Sequence, residues 1–129
     1  MTAAAPPLAD EKYINLETFK RDGTGVKTPV WAAPLEGTLI VMSAGSGYKI
    51  KRLQRDPHAR VAGCDIRGNV HGPWLEATGR VIADKEHVKR AHAAMRKKYG
   101  FTMLVTDLFA FVAGRIPKRV YLEITVKPA

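Results

Sequence analysis

Polar and apolar residues alternate most cleanly near the C-terminus. There Val120, Leu122, Ile124 and Val126 are separated by Tyr121, Glu123 and Thr125. A period of two is that of a strand with one buried face. Similar but less regular patterns predict strands over Tyr13 to Phe19, Val26 to Ala33, Leu39 to Ser43, Arg60 to Ile66 and Trp74 to Ile82. The connections between them carry turn chemistry. Asp22-Gly23 with Gly25, Glu36-Gly37 and Arg67-Gly68-Asn69 supply residues that tolerate positive φ.

The period changes to that of a helix in three places. Tyr48 to Arg55 reads as a short basic helix that ends before Asp56-Pro57. Asp84 is an N-cap for a helix carrying Val88, Ala91, Met95 and Tyr99 on one face, closed by Gly100. Phe101, Leu104, Val105, Leu108, Phe109 and Val112 predict a second amphipathic helix, closed by Gly114. The sum is a mainly β chain: a six-stranded antiparallel barrel, one short basic helix and a helical hairpin before the last strand. Residues 1–9 are Ala/Pro-rich and read as a tail ahead of a single domain over 10–129.

Composition narrows the class of protein. At 129 residues and 46% hydrophobic, the chain can bury a core without disulfides, and its one cysteine, Cys64, allows none within the chain. The N-terminus has no basic segment followed by an apolar run, and the stretch Phe101 to Ala113 is interrupted by Asp107 and too short to span a bilayer. A cytoplasmic protein without membrane insertion is expected. Twenty-one Lys and Arg against twelve Asp and Glu give a formal charge of +9, which favours anionic partners. Nucleic acid is disfavoured because no aromatic stacking segment accompanies the basic residues.

Two segments are candidates for ligand chemistry. Ser43-Ala44-Gly45-Ser46-Gly47 is a run of small residues leading into a helix, and Lys49, Lys51 and Arg52 follow. Small residues let a ligand approach the backbone, and a helix start with cations behind it suits a phosphate. A solvated basic helix is the competing account. Thr28-Pro29-Val30-Trp31 places a proline in a strand, where it removes one backbone donor and leaves neighbouring groups able to face a ligand ring. An edge strand with a core tryptophan is the alternative there. Cys64, Asp65, His58 and His71 lack the paired spacing of a zinc site, so no metal is expected, and Cys64 reads as a small buried hydrophobe.

The order and spacing of these segments resemble a known family. Gly23-Thr24, Val26 and Thr28-Pro29-Val30-Trp31 resemble the second strand of the pyridoxamine 5′-phosphate oxidase-like split-barrel proteins. Lys49-Ile50-Lys51-Arg52-Leu53, Arg55-Asp56-Pro57 and Arg60-Val61 resemble their phosphate-binding helix and next strand. Cys64-Asp65, Arg67-Gly68, Gly72-Pro73-Trp74, Glu76 and Gly79-Arg80-Val81 are similar to the deazaflavin (coenzyme F420)-dependent oxidoreductase branch. Gly25 and Lys27 depart from the pattern, standing where a proline and a small polar residue are expected.

The resemblance implies a homodimeric split barrel that binds phosphorylated F420 and transfers a hydride to or from a small organic substrate. It implies that Lys49, Lys51 and Arg52 hold the phosphate and that Ser43, Ala44 and Ser46 line its approach. Thr28, Pro29, Val30 and Trp31 would border the ring, with Trp74 reaching it from the neighbouring chain. An FMN-binding split-barrel oxidoreductase and a non-catalytic F420 carrier stay open as alternatives, and some split-barrel proteins hold haem.

Overall fold

Glycine turns shape the first half of the chain. Gly23 and Gly37 both adopt the left-handed conformation, at φ 87° and 83°, and each sits in a tight reversal between strands. The computed structural model describes residues 7–44, 48–100 and 119–127, with Thr102, Val105 and Leu108. Its elements are β1 (Tyr13–Phe19), β2 (Gly25–Val30), β3 (Ala32–Leu35), β4 (Thr38–Ala44), α1 (Tyr48–Arg55), β5 (His58–Cys64), β6 (Leu75–Val81), α2 (Lys85–Tyr99) and β7 (Arg119–Val126).

All strands join one antiparallel sheet in the order β2-β1-β5-β6-β7-β4-β3. The two edge strands, β2 and β3, are consecutive in the chain, and Trp31 alone lies between them. A flat sheet of seven strands would hold its edges about 29 Å apart. Two Cα steps reach at most about 7.6 Å. The sheet must therefore curl until its edges meet, and the covalent chain fixes the curl. This is the expected antiparallel barrel architecture, with seven strands instead of six. The expected single strand from Val26 to Ala33 is two: its first part pairs with β1, its second with β4, and Trp31 marks the change of partner.

Curling gives the sheet two buried faces. Inside, Ile14, Leu16, Val41, Val61, Leu122 and Ile124 form one cluster, joined by Ile50 and Leu53 of α1. Gly79 of β6 makes room for that helix. A Cβ there would lie 2.9 Å from Ile124 Cδ1 and 3.1 Å from the Leu53 methyls. Outside, Ile40 and Tyr121 pack under Ala91, Ala94 and Met95 of α2. Neighbours along one strand thus serve opposite cores, as Val41 and Ile40 do. Asp84 caps α2 by accepting from the His87 amide at 2.9 Å, and Gly100 ends it with its amide bonded to Arg96 O. The predicted helix from Phe101 to Val112 lies mostly outside the described residues. Among the described residues no helix is long and apolar enough to cross a membrane.

The end of α2 braces the barrel seam. Tyr99 stacks on Trp31 with ring centroids 4.6 Å apart and planes 13° from parallel. Its hydroxyl accepts from the Ala32 amide at 2.9 Å, with the carbonyls of Ala32 and Lys12 at 2.9 and 2.8 Å to receive its proton. The Lys98 ammonium donates to the carbonyls of Glu11 and Ala32. Burial pushes the Tyr99 phenol up to about 12 from 10.0, Tyr13 adding to the rise and the Ala32 backbone opposing it.

Removing the hydroxyl while keeping the ring isolates this brace. Tyr99→Phe is expected to lose about 1–2 kcal/mol in urea unfolding at neutral pH. Because the folded phenol ionises above its unfolded value, its contribution is whole below pH 10 and lost as pH rises through about 12. Absorbance titration of the four tyrosines should show one ionising late in the wild type. That late phase should be missing from the variant.

Candidate functional site

The edge position of β2 makes it available to a ligand. Among the described residues no strand lies across its outer edge, so one row of its backbone groups has no ladder partner. Pro29 occurs in this edge strand, opposite Asn15 of β1, where a missing donor is tolerated. At the other edge the situation differs, because the amide and carbonyl of Ala32 are taken by Tyr99 and Lys98.

Beside β2 is an open cleft of about 540 Å³. Thr28, Pro29, Val30 and Trp31 form one wall; Ser43 of β4 and Lys49 of α1 stand on its lining with them. These residues come from three separate segments, and the seam at Trp31 brings them together. Met42, Tyr13 and the exposed Ile66 complete the lining. The cleft therefore offers apolar and aromatic surface for a ring, an edge of backbone, a hydroxyl and one cation. Burial lowers the pKa of Lys49, and the charge of Arg52 lowers it further.

The other expected residues fall elsewhere. Lys51 and Arg52 line a different hollow, with Lys20, Arg21 and Arg55. Ala44 ends β4, and Ser46 lies outside the described residues. Trp74 is not on the cleft lining of its own chain. Its ring lies between the Lys27 ammonium, 5.3 Å from the centroid, and the Arg60 guanidinium, at 5.1 Å. Arg60 in turn pairs with the buried Glu17 at 3.1 Å. Cys64 is buried, and burial, with help from Asp65 and Glu11, pushes its thiol pKa up. That is the opposite of what a nucleophile needs. No cluster of potential metal ligands occurs among the described residues.

Tyr13, Met42 and Ile66 gave no chemical signal in the sequence, since each fits a strand or turn pattern equally well. Nor did Lys20 and Arg21, which adjoin the Asp22-Gly23 turn. A larger hollow of about 620 Å³ lies beside the seam, lined in part by Lys98 and Tyr99. The polar groups of those two residues bind backbone, and Asp10, Lys12, Lys97 and Thr102 line that hollow as well.

No protein-family model and no curated protein matches the sequence. Solved structures do match the fold. A Listeria innocua protein proposed to be a pyridoxamine 5′-phosphate oxidase superposes with a TM-score of 0.65 at 17% identity, over 94% of this chain and 88% of that one. The haem storage protein HutZ of Vibrio cholerae gives 0.69 at 10% identity, over 92% and 84%. A Bacteroides thetaiotaomicron protein proposed to confer 5-nitroimidazole resistance gives 0.68 at 12% identity, over 94% and 76%. The curled sheet closed at Trp31, with α1 and α2, has the split-barrel fold of these neighbours.

Proposed function

We propose that the cleft beside β2 binds a phosphorylated flavin-type cofactor, with F420 the leading candidate, and that the protein is an oxidoreductase. The observation that carries this reading is the meeting of Thr28–Trp31, Ser43 and Lys49, from β2 with its following residue, β4 and α1, on one cleft. The net charge of +9 suits the acidic character of F420, and the resemblance of the Cys64–Val81 segment to the F420-dependent branch favours it over FMN. FMN, left open by the sequence resemblance, and haem, which the name of the Vibrio neighbour carries, are the alternatives to test.

A bound deazaflavin would supply the hydride chemistry. The chain's own contribution is placement. The edge of β2 and the side chains of Trp31 and Met42 offer a surface along which a planar ring can lie. Lys49 supplies a cation for a phosphate, and the low polarity that depresses its pKa strengthens that attraction. Ser43 stands where the small-residue loop begins and lines the phosphate approach. Trp74 is assigned to a ring edge presented by a second copy of the chain, which makes the working form a homodimer. The substrate is a small organic molecule able to exchange a hydride with the ring.

Fluorescence titration with F420, FMN and haem separates the cofactors. Trp31 lines the cleft, so F420 is expected to quench tryptophan emission at micromolar concentration. FMN and haem are expected to bind at least about tenfold more weakly, a difference of about 1.4 kcal/mol. Tighter binding of FMN or haem would transfer the cleft to that group. Reduced F420 mixed with an electron-poor acceptor such as an enone then distinguishes an enzyme, which consumes the reduced form, from a carrier, which does not.

Lys49→Ala is expected to weaken F420 binding on the order of 10–100-fold, the equivalent of one charge-assisted hydrogen bond. Deazaflavin without the phosphate should bind wild type and variant equally. Because the pKa of Lys49 is lowered, wild-type affinity should begin to fall at a pH below the ordinary lysine range. Equal F420 affinity in wild type and variant would remove Lys49 from the site.

A further inference from the structure

We propose that the hollow between the β1–β2 turn and α1 is a second anion site, separate from the cleft, that takes a chain of two or three phosphates. Five cationic side chains line its volume of about 420 Å³: Lys20, Arg21, Lys51, Arg52 and Arg55. They come from two segments about 30 residues apart in the chain, and among the described residues no carboxylate joins them on the lining.

Two of the five are held in place by the end of β1. Arg52 Nη1 donates to Thr18 Oγ1 at 3.3 Å, and Arg55 Nη2 donates to the Phe19 carbonyl at 2.5 Å. Their guanidinium groups are therefore fixed before any ligand arrives, which reduces the ordering cost of binding. The acids nearest in sequence are turned to their own backbone. Asp22 accepts from the Thr24 amide at 2.9 Å; its hydrogen bonds to Thr24, with a smaller contribution from the Lys20 charge, hold its carboxyl below the usual range. Asp56 accepts from the His58 amide at 3.0 Å.

Gathering five like charges opposes itself, and an anion reverses the sign of that interaction. A monoanion would offset only a small part. A di- or triphosphate carries several negative charges in a short chain, and its oxygens suit the forked guanidinium groups. The cleft offers one cation, Lys49, whereas this hollow offers five. A free phosphate chain and the phosphates of a nucleotide share this chemistry.

Calorimetric titration at about 0.1 M salt tests the site with sodium triphosphate, ATP, adenosine and hexaglutamate. Triphosphate and ATP are expected to bind, adenosine not, and hexaglutamate at least about tenfold more weakly. Equal affinities for triphosphate and ATP mean that the phosphates alone are recognised; tighter ATP binding makes the nucleotide the occupant. The exposed pair Arg21→Glu and Lys51→Glu should cost both ligands at least about tenfold, with circular dichroism confirming the fold. Lys85→Glu with Lys89→Glu makes the same change in net charge on α2 and should alter affinity less than about twofold. Lys49→Ala should leave triphosphate binding intact, so failure of the cleft assignment and failure of this one are separable. Absence of triphosphate binding, an equal loss in the α2 variant, or equal binding of hexaglutamate would overturn the proposal.

Discussion

Everything in this structure depends on one short covalent constraint. The opposite edges of a seven-stranded sheet are successive strands, with Trp31 alone between them. The chain cannot satisfy that connection and remain flat. Closing the sheet creates an interior for Leu16, Val41, Val61 and Leu122, and it leaves an outer face for α2 to cover. The same closure sets the outer edge of β2 near Ser43 and Lys49, residues that the sequence keeps well apart. Core, seam and cleft are consequences of a single geometric requirement.

The seam is held from outside by the last turn of α2. Tyr99 spends its ring on Trp31 and its hydroxyl on the backbone of Ala32 and Lys12, while Lys98 binds the carbonyls of Ala32 and Glu11. These contacts satisfy the amide and carbonyl of Ala32, the first residue of the edge strand β3. The contrast with β2 is the basis for assigning function. At the β3 edge the Ala32 amide and carbonyl are held by side chains of α2; among the described residues no strand lies across the β2 edge, which borders a cleft.

Much of the fold was legible because it rests on local chemistry. The period-two pattern of β7, the Asp84 cap and Gly100 stop of α2, and the turn glycines each encode their structure within a few residues. The break at Trp31 was not legible, since Val26 to Ala33 reads as one continuous strand and the change of partner is a long-range event. Thr28–Trp31 and Lys49 stood out in the sequence because a proline in a strand and a small-residue loop before a basic helix are unusual locally, and the structure places them on one cleft. The division of the cations could not. Helical spacing places Lys49 and Arg52 on one face, yet only the packing of α1 against the β1–β2 turn shows which hollow each lines. Tyr99 was recognised as a core residue of α2, and nothing in the sequence linked it to Trp31.

The central claim is that the cleft created by the seam is the cofactor site. Backbone amide shifts in ¹H–¹⁵N spectra, followed as F420 is added, test it most directly. The account predicts that the largest changes fall on Thr28, Val30, Trp31, Ser43 and Lys49, with Lys97 and Lys98 beside the larger hollow changing little. Shifts concentrated at Lys97 and Lys98, with the β2 edge unmoved, would contradict it.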